Sequence, residues 1–166
     1  MDEAIQRVEA LYSAHGPALL GYLRRSFGGA DPAEDLLHET FVQALRRLDR
    51  LNEAASARAW LFGIARRVGL AALRRRRMEP LAAEPAAAEP EEADRRLDAM
   101  RRAIARLPAL HREALELRLR EDLSYEEMAA VLEVPVGTVR SRLHHAVRTL
   151  SRQMTDDAGA GEPVRG

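Results

Sequence analysis

The 166-residue chain contains no cysteine. Disulfides, thiolate metal sites and thiol catalysis are therefore excluded within it. Long apolar runs are also missing, and the first residues lack the basic and apolar pattern of a signal peptide. From these two absences we expect no membrane insertion and a cytoplasmic location.

Lysine is absent too: all 26 basic residues are arginine, and they balance 26 acidic residues, so the formal net charge is zero. The distribution is more informative than the average. Residues 1–77 hold 13 Arg and 9 acidic residues (+4), 78–93 hold 5 Glu and no base (−5), 94–153 hold 12 Arg and 9 acidic residues (+3), and 154–166 hold 1 Arg and 3 acidic residues (−2). Two mildly basic segments thus flank an acidic connector.

No strand pattern persists along the chain, whereas helical spacing of apolar residues is frequent. The connector repeats Pro, Ala and Glu, a composition that cannot fill a core and favours an extended, flexible spacer. We predict an all-α protein of two small helical domains joined by a flexible linker. The predicted parts are a three-helix N-terminal domain (1–77), the linker (78–93), a four-helix C-terminal domain with a helix-turn-helix (94–153) and a disordered tail (154–166).

Local signals predict where several helices begin and end. A first helix over residues 4–27 should be kinked or split at Gly16-Pro17. Asp31 and Pro32 have the order of an N-cap and a first helical residue, which starts a second helix that runs to about Leu48. Apolar residues expected to face the cores include Ile5, Tyr12, Trp60, Leu97, Met100, Leu110 and Val147.

Residues 124–152 have the pattern of a helix-turn-helix. Ser124 and Glu127 have the spacing of a capping box, which begins a short helix. A break follows at residues 133–135, and a longer amphipathic helix continues to Arg152. In such motifs the second helix enters the major groove of DNA.

The outward side of that second helix is rich in hydrogen-bond donors, and residues 134–152 contain no acidic side chain. Arginine suits phosphate contacts and bidentate recognition of guanine. An ordinary solvated helix is the alternative, but the absence of acid favours DNA. The candidate DNA-binding residues are Thr138, Arg140, Ser141, Arg142, His144, His145 and Arg148. Adjacent histidines on a helix diverge by about 100°, so His144 and His145 make a poor zinc pair.

Two further surfaces have open interpretations. The outward side of the second helix, with Asp35, His38, Glu39, Gln43 and Arg46, is either solvated or a partner surface. The run of arginines at 74–77 either offsets a helix dipole or, with Arg66 and Arg67, contacts phosphate.

The ordered motifs together resemble a known family. DPAEDLLHETFVQAL, RAWLFGIARRVGLAALRRRR, the Ala/Pro/Glu linker and ARLPALHREALELRLREDLSYEEMAAVLEVPVGTVRSRL are similar to the extracytoplasmic-function sigma factors of bacterial RNA polymerase. The resemblance covers nearly the whole chain up to Arg152. It implies a subunit that binds core RNA polymerase, directs promoter recognition and helps to open promoter DNA.

The resemblance also implies roles for particular residues. Asp35, His38, Glu39, Gln43 and Arg46 would dock on the β′ clamp helices. The C-terminal domain would read the minus-thirty-five element and meet the β flap, and an anti-sigma factor is expected as a regulatory partner. The residues implied to hold the non-template strand of the minus-ten element are Leu51, Asn52, Glu53, Arg58, Trp60, Arg66, Arg67 and Arg74.

Several positions depart from the family pattern. Leu51-Asn52-Glu53 stands where Phe-x-Gly is frequent, and Arg67 and Ala71 stand where Asn and Asp are frequent. These changes affect which base would be captured. Asp122 and Glu133 replace usual glycines, which indicates turns that accept a side chain or are less tight.

Two other function classes fit the sequence less well than a sigma factor. A protein that mimics a sigma factor and titrates an anti-sigma partner should lack the DNA-facing arginines, yet Arg140, Arg142 and Arg148 are present. An enzyme is not indicated, since Val42 stands where a zinc-protease motif starting at His38 needs its second histidine. No cofactor is expected.

Overall fold

The computed structural model describes residues 1–28, 32–52, 56–78 and 95–159. Every regular element in these ranges is helical, and no strand occurs within them. The predicted all-α fold class is confirmed. The elements are α1 (Asp2–Phe27), α2 (Ala33–Arg46), a 3₁₀ turn (Leu48–Arg50), α3 (Ala57–Met78), α4 (Arg95–Ala105), α5 (Ala109–Glu121), α6 (Tyr125–Leu132) and α7 (Val136–Gly159).

The described residues group into two compact units. The first contains residues 1–78, and residues 130–133 at the end of α6 are grouped with it; the second contains the rest of 95–159. We call α1–α3 the N-terminal unit and α4–α7 the C-terminal unit. The predicted linker starts at Met78, which is the last residue of α3, and its remaining residues lie outside the described ranges.

In the N-terminal unit each helix packs against the other two. Aromatic side chains lie at the centre: the Tyr22 ring is 5.8 Å from the Phe27 ring, edge to face, and 5.2 Å from the Phe62 ring. Such pairs add about 0.5–1.5 kcal/mol beyond the area they bury. The other buried side chains include Leu19, Leu23, Leu36, Leu37, Phe41, Leu61, Ile64 and Val68.

A close approach between α1 and α3 depends on Gly69. A Cβ atom added at this glycine would lie 2.4 Å from Cδ2 of Phe27, which is itself buried. The same end of α1 is held by Arg76, whose Nη2 donates a hydrogen bond of 2.7 Å to the backbone oxygen of Phe27. Arg76 therefore serves the fold by satisfying a carbonyl at the end of α1.

Of the kink or split expected at Gly16-Pro17, the split is wrong. The helix runs unbroken from Asp2 to Phe27 with Pro17 inside it. Pro17 and Ser13 are both exposed, so water can solvate the Ser13 carbonyl that loses its helical partner. Ile5 and Tyr12 were expected in the core but are 43% and 51% exposed.

The ends of α2 differ from the prediction by one or two residues. Ala33 is the first helical residue, and Pro32 takes the N-cap position instead of the first turn. Asp31, the predicted cap, lies outside the described residues. At the other end Arg47 leaves helical geometry at φ −122°, so the chain continues into the 3₁₀ turn instead of reaching Leu48 as an α-helix.

In the C-terminal unit α7 packs against α4 and α5. Small and apolar side chains such as Ala103, Ala114, Leu117, Val139 and Ala146 are buried. Four residues that the periodicity assigned to cores, Leu97, Met100, Leu110 and Val147, are instead 37% to 53% exposed. Val147 directly follows Ala146, and because neighbours on a helix diverge by about 100°, only one of the two can point to the centre of the unit.

Helix α7 is longer than predicted. It continues to Gly159, so residues 154–159 are helical where the sequence predicts a disordered tail. The apolar stripe extends one turn further because Leu150 and Met154, four residues apart, are both half-buried. Thr155 also donates a hydrogen bond of 2.8 Å from Oγ1 to the Ser151 carbonyl.

None of the helices in the described ranges combines the length and the hydrophobicity that a bilayer span requires.

Candidate nucleic-acid interface

The helix-turn-helix begins with the predicted capping box. The Ser124 backbone N–H donates to Oε2 of Glu127 at 2.8 Å, and the Glu127 backbone N–H donates to Oγ of Ser124 at 3.1 Å. Two amides at the start of α6, which have no helical partner, are thereby satisfied. The capping box is confirmed, and it fixes the direction in which α6 leaves the preceding loop.

Two turns adopt left-handed backbone at residues other than glycine. Asp122, after α5, has φ 50°, and Glu133, after α6, has φ 56°. After Glu133 the Val134 N–H donates to the Ala129 carbonyl at 3.1 Å, the six-to-one bond of a Schellman motif. Both turns therefore keep the left-handed conformation that glycine usually adopts, although each carries a side chain there. The sequence left open whether these turns accept a side chain or are less tight, and the second expectation is wrong.

The outward side of α7 carries most of the predicted DNA-binding residues. Val139 and Ala146 are fully buried and Leu143 is 8% exposed, so the opposite side must face solvent. Thr138 and Arg142 are half-buried at its margins. We call the exposed set the α7 face: Arg140, Ser141, His144, His145 and Arg148.

Arg140 is held from the side by a residue that the sequence did not single out. Its Cζ lies 5.8 Å from the centre of the Tyr125 ring, and Cζ of Arg118 lies 5.3 Å from the same ring. Arg118 is itself anchored, because its Nη1 donates a hydrogen bond of 2.8 Å to the Leu123 carbonyl. A guanidinium over an aromatic face is attracted by the ring quadrupole.

The histidines of the α7 face also have an unexpected neighbour. The His145 ring stacks on the ring of His111 from α5, with 5.7 Å between the ring centres and 13° between the ring planes. The His144 ring meets the His145 ring edge to face, with 5.9 Å between the centres. His145 is thus supported by α5, while His144 lies further out. Among the described residues no cluster of three or more His, Asp or Glu is arranged to hold a metal ion.

The α3 residues implied to hold the minus-ten strand do not all lie on the same side of the helix. Trp60, Arg67 and Arg74 recur every seven residues, so within one continuous helix they share a side to within about 40°. We call these three residues the α3 face; Arg67 and Arg74 are exposed and Trp60 is half-buried. Arg66, half-buried, lies about 100° away from Arg67, so it borders this face instead of belonging to it.

Arg58 lies on the opposite side of α3. Its guanidinium Cζ is 5.5 Å from the centre of the buried Phe62 ring. Burial, and secondarily the positive charge of Arg58, lower the pKa of His15 on α1 below the usual value for histidine. Arg58 is therefore engaged with the core of the N-terminal unit.

The loop before α3 is described in part. Leu51 is half-buried and Asn52 is exposed, whereas Glu53 lies outside the described residues. Ser56 caps α3, because its Oγ accepts a hydrogen bond of 3.1 Å from the Ala59 backbone N–H. The loop thus ends at a fixed point beside the first turn of α3.

The predicted polymerase-binding residues lie along one side of α2. Asp35, Glu39 and Gln43 line a groove of about 300 Å³ together with Val68, Ala71 and Arg75 of α3. Gln43 donates from Nε2 to Oε1 of Glu39 at 2.9 Å, which orients that carboxylate. His38 and Arg46 are exposed but do not line the groove, whereas Arg75, which was not predicted, does. We call this feature the α2 groove.

Comparison with known proteins identifies both units. Residues 11–79 match the family described as Sigma-70 region 2, and residues 97–150 match the family described as Sigma-70, region 4. The ECF RNA polymerase sigma factor EcfG of Rhodopseudomonas palustris is 33% identical over 159 residues, which cover 90% of this chain and 88% of EcfG. The chain belongs to the extracytoplasmic-function family of RNA polymerase sigma factors.

Solved structures agree with this family. The sigma factor RpoE of Bartonella quintana, in complex with the anti-sigma factor NepR, matches with a TM-score of 0.70 and 27% identity over 93% of this chain and 98% of that one. CnrH, in complex with the cytosolic domain of CnrY, matches with a TM-score of 0.65 and 30% identity over 92% and 90%. The family predicted from the sequence motifs is confirmed, and its members are transcription initiation factors.

Proposed function

We propose that this sigma factor divides promoter recognition between its two units while both are mounted on core RNA polymerase. The C-terminal unit reads the minus-thirty-five element through the α7 face, and the N-terminal unit captures the opened minus-ten strand through the 51–56 loop and the α3 face. The chain carries out no covalent chemistry. Because it acts with polymerase on chromosomal DNA, the cytoplasm is its proposed place of action.

The observation that carries this proposal is the acid-free part of α7, which extends from the start of the helix to Arg152. Residues 134–152 contain no Asp or Glu, and the α7 face points to solvent on the side opposite Val139 and Ala146. A helix of this kind can enter the major groove without repelling phosphate. There Arg140 can pair with guanine, while Ser141 and His144 reach neighbouring base edges or phosphates.

The α3 face suits single-stranded DNA. Trp60 offers a surface on which an unpaired base can stack, and Arg67 and Arg74 follow it along about 21 Å of helix, at about 1.5 Å per residue. Such an arrangement tracks a backbone and favours the melted strand over the duplex. Asn52 is the exposed residue in the described part of the loop, and it is the proposed contact for a base extruded from the DNA helix.

The α2 groove is the proposed docking site for the β′ clamp helices. Two carboxylates, an amide and the guanidinium of Arg75 surround the apolar side chains of Leu36 and Val68 there. Charges of both signs around an apolar centre suit a partner helix that carries basic and acidic side chains at its rim. The β flap is the proposed partner of the C-terminal unit away from the α7 face.

An anti-sigma factor is the proposed regulator. RpoE of Bartonella quintana, a structural relative over most of its length, is held by such a factor. Because polymerase and an anti-sigma factor would compete for the chain, binding of one reduces the population available to the other.

The proposal is tested by reconstituting the chain with core polymerase and transcribing a genomic promoter library. We expect initiation from a set of sites that share two spaced elements, and weak binding of the same duplexes by the free chain. Charge reversal of Arg140 should abolish selection of the upstream element while binding to core polymerase persists. A holoenzyme that selects no promoter would refute the proposal.

A further inference from the structure

We infer that Tyr125 is a specificity-determining positioning residue: its ring holds the Arg140 guanidinium in the orientation that reads a base pair of the upstream element. This inference rests on the proposed function, in which Arg140 is a base-reading residue. Base preference would then depend on Tyr125 as well, although α6 is the helix of the motif that does not enter the groove.

The position of Tyr125 is set by the capping box. Tyr125 is the first residue of α6, directly after Ser124, whose backbone N–H and hydroxyl are both bonded to Glu127. With its backbone fixed in this way, the half-buried ring cannot drift with a fraying helix end. The ring is therefore a stable platform beside the N-terminal half of α7.

Arg118 braces this platform from α5. Its guanidinium lies over the Tyr125 ring at 5.3 Å, while its hydrogen bond to the Leu123 carbonyl ties it to the loop before the capping box. The approach of Arg140 to the same ring at 5.8 Å then completes a contact series that runs from α5 through α6 to α7. All three side chains belong to the same compact unit.

Support of this kind matters because arginine is flexible. Arg140 is exposed, and a free guanidinium samples many rotamers before it meets a guanine edge. The guanidinium is planar and must present two N–H groups side by side to guanine O6 and N7. The contact with the Tyr125 ring restricts Arg140 before it binds DNA, so less side-chain entropy is lost on recognition. The resulting gain in affinity applies only to the base pair that Arg140 reads.

The experiment measures base preference of the reconstituted holoenzyme at every position of the upstream element. The probe is a promoter recovered by the wild-type holoenzyme from a library randomised over that element. Arg140→Ala first identifies the base pair that Arg140 reads. Tyr125→Leu removes the aromatic face, Tyr125→Met repeats the test with a good helix former, and Tyr125→Phe keeps the face without the hydroxyl.

We expect Tyr125→Leu and Tyr125→Met to reduce preference about two- to fivefold at the Arg140 base pair and to leave other positions unchanged, the range of an exposed cation–π contact. Tyr125→Phe should match the wild type. Because the two residues act as a unit, the double variant R140A/Y125L should show no further loss of preference beyond R140A alone.

The outcomes separate the two claims. Full preference in both the leucine and the methionine variants, with preference lost in R140A, would overturn the role of Tyr125 and leave the proposed function intact. A loss spread evenly over all positions would overturn it as well, since it indicates a general effect on binding or folding. Full preference in R140A would refute the assignment of the α7 face itself.

Discussion

The α7 face is formed by one helix, whereas the surface proposed for the minus-ten strand combines a loop with one side of α3. On α7 the buried side chains and the exposed candidates alternate as helical geometry requires, and the five exposed candidates share one solvent-facing side. Around α3, by contrast, the described loop residues Leu51 and Asn52, the α3 face and Arg58 lie in different places. The difference shows that a surface formed by a single helix is easier to predict from sequence than one assembled from several elements.

The two surfaces differ most clearly in what their arginines are expected to contact: a base pair for Arg140 on the α7 face, and a phosphate for Arg74 on the α3 face. Arg140→Ala should cost about 1–3 kcal/mol of discrimination at one base pair, because it removes a bidentate base contact. Arg74→Ala on the α3 face should weaken binding evenly across sequences and lower the salt slope by about one, because it removes a phosphate contact. Initiation rates of the two holoenzymes on matched and substituted promoters, measured at several salt concentrations, distinguish them.

The two arginine variants could also behave alike. An even loss with Arg140→Ala, or a loss confined to one base pair with Arg74→Ala, would contradict the division between base reading and strand tracking.

A second prediction concerns the packing that supports the α3 face. Gly69→Ala should destabilise the N-terminal unit by about 1–3 kcal/mol, because its Cβ would overlap the buried Phe27 ring. Gly63→Ala on the same helix is the matched control: nothing lies within 4 Å of its added Cβ. That control should gain up to about 1 kcal/mol of helix stability.

Urea denaturation followed by the fluorescence of Trp60, the only tryptophan, measures the unfolding free energy of both variants. Equal stability of the two variants would show that the approach of α1 to α3 is not constrained at Gly69.

These cases also show how far sequence reasoning extends. The capping box at Ser124 and Glu127 was predictable because both bonds are local. The exposure of Leu97 and Leu110 was not, because periodicity indicates an apolar side of a helix but not whether another helix covers it. The support of Arg140 by Tyr125 was missed for a similar reason, since residues 15 positions apart meet only after two helices cross.

A third prediction tests whether the capping box at Ser124 and Glu127 holds the start of α6. Ser124→Ala removes the hydroxyl that accepts the Glu127 N–H and should cost about 1 kcal/mol. Hydrogen exchange of the α6 amides should accelerate, while the Trp60 unfolding transition of the N-terminal unit stays unchanged. Ser13→Ala, at an exposed position inside α1, is the control and should leave α6 exchange as it is. Unchanged exchange in Ser124→Ala would mean that tertiary packing alone fixes α6.

A fourth prediction addresses the strained turn after α5. Asp122 adopts φ 50°, so Asp122→Gly should stabilise the C-terminal unit by about 0.5–1 kcal/mol. Arg120→Gly, inside the same helix, should instead destabilise it by up to about 1 kcal/mol. Hydrogen exchange of α5 measures both changes. Destabilisation by Asp122→Gly would show that the aspartate side chain contributes more than the backbone strain costs.

The smallest expected effect is a pH dependence in the N-terminal unit. Because burial and then Arg58 lower the pKa of His15, the folded state binds fewer protons than the unfolded state at mildly acidic pH. The stability contributed by His15 is therefore present at neutral pH and is lost as pH falls below about 6.5 and through the lowered value. Urea denaturation from pH 7.5 to 5 should show a shallower decline for His15→Gln than for the wild type. If stability declines equally with pH in the two proteins, the lowered pKa of His15 is contradicted.

The central claim is that the two units read two separate promoter elements on one polymerase. Its most direct test is promoter selection from a library randomised over both elements, performed with holoenzymes carrying the wild-type chain, Arg140→Ala or Asn52→Ala. We expect Arg140→Ala to alter only the upstream consensus and Asn52→Ala only the downstream one. If both substitutions alter the same element, or neither alters any, the proposed division of labour is wrong.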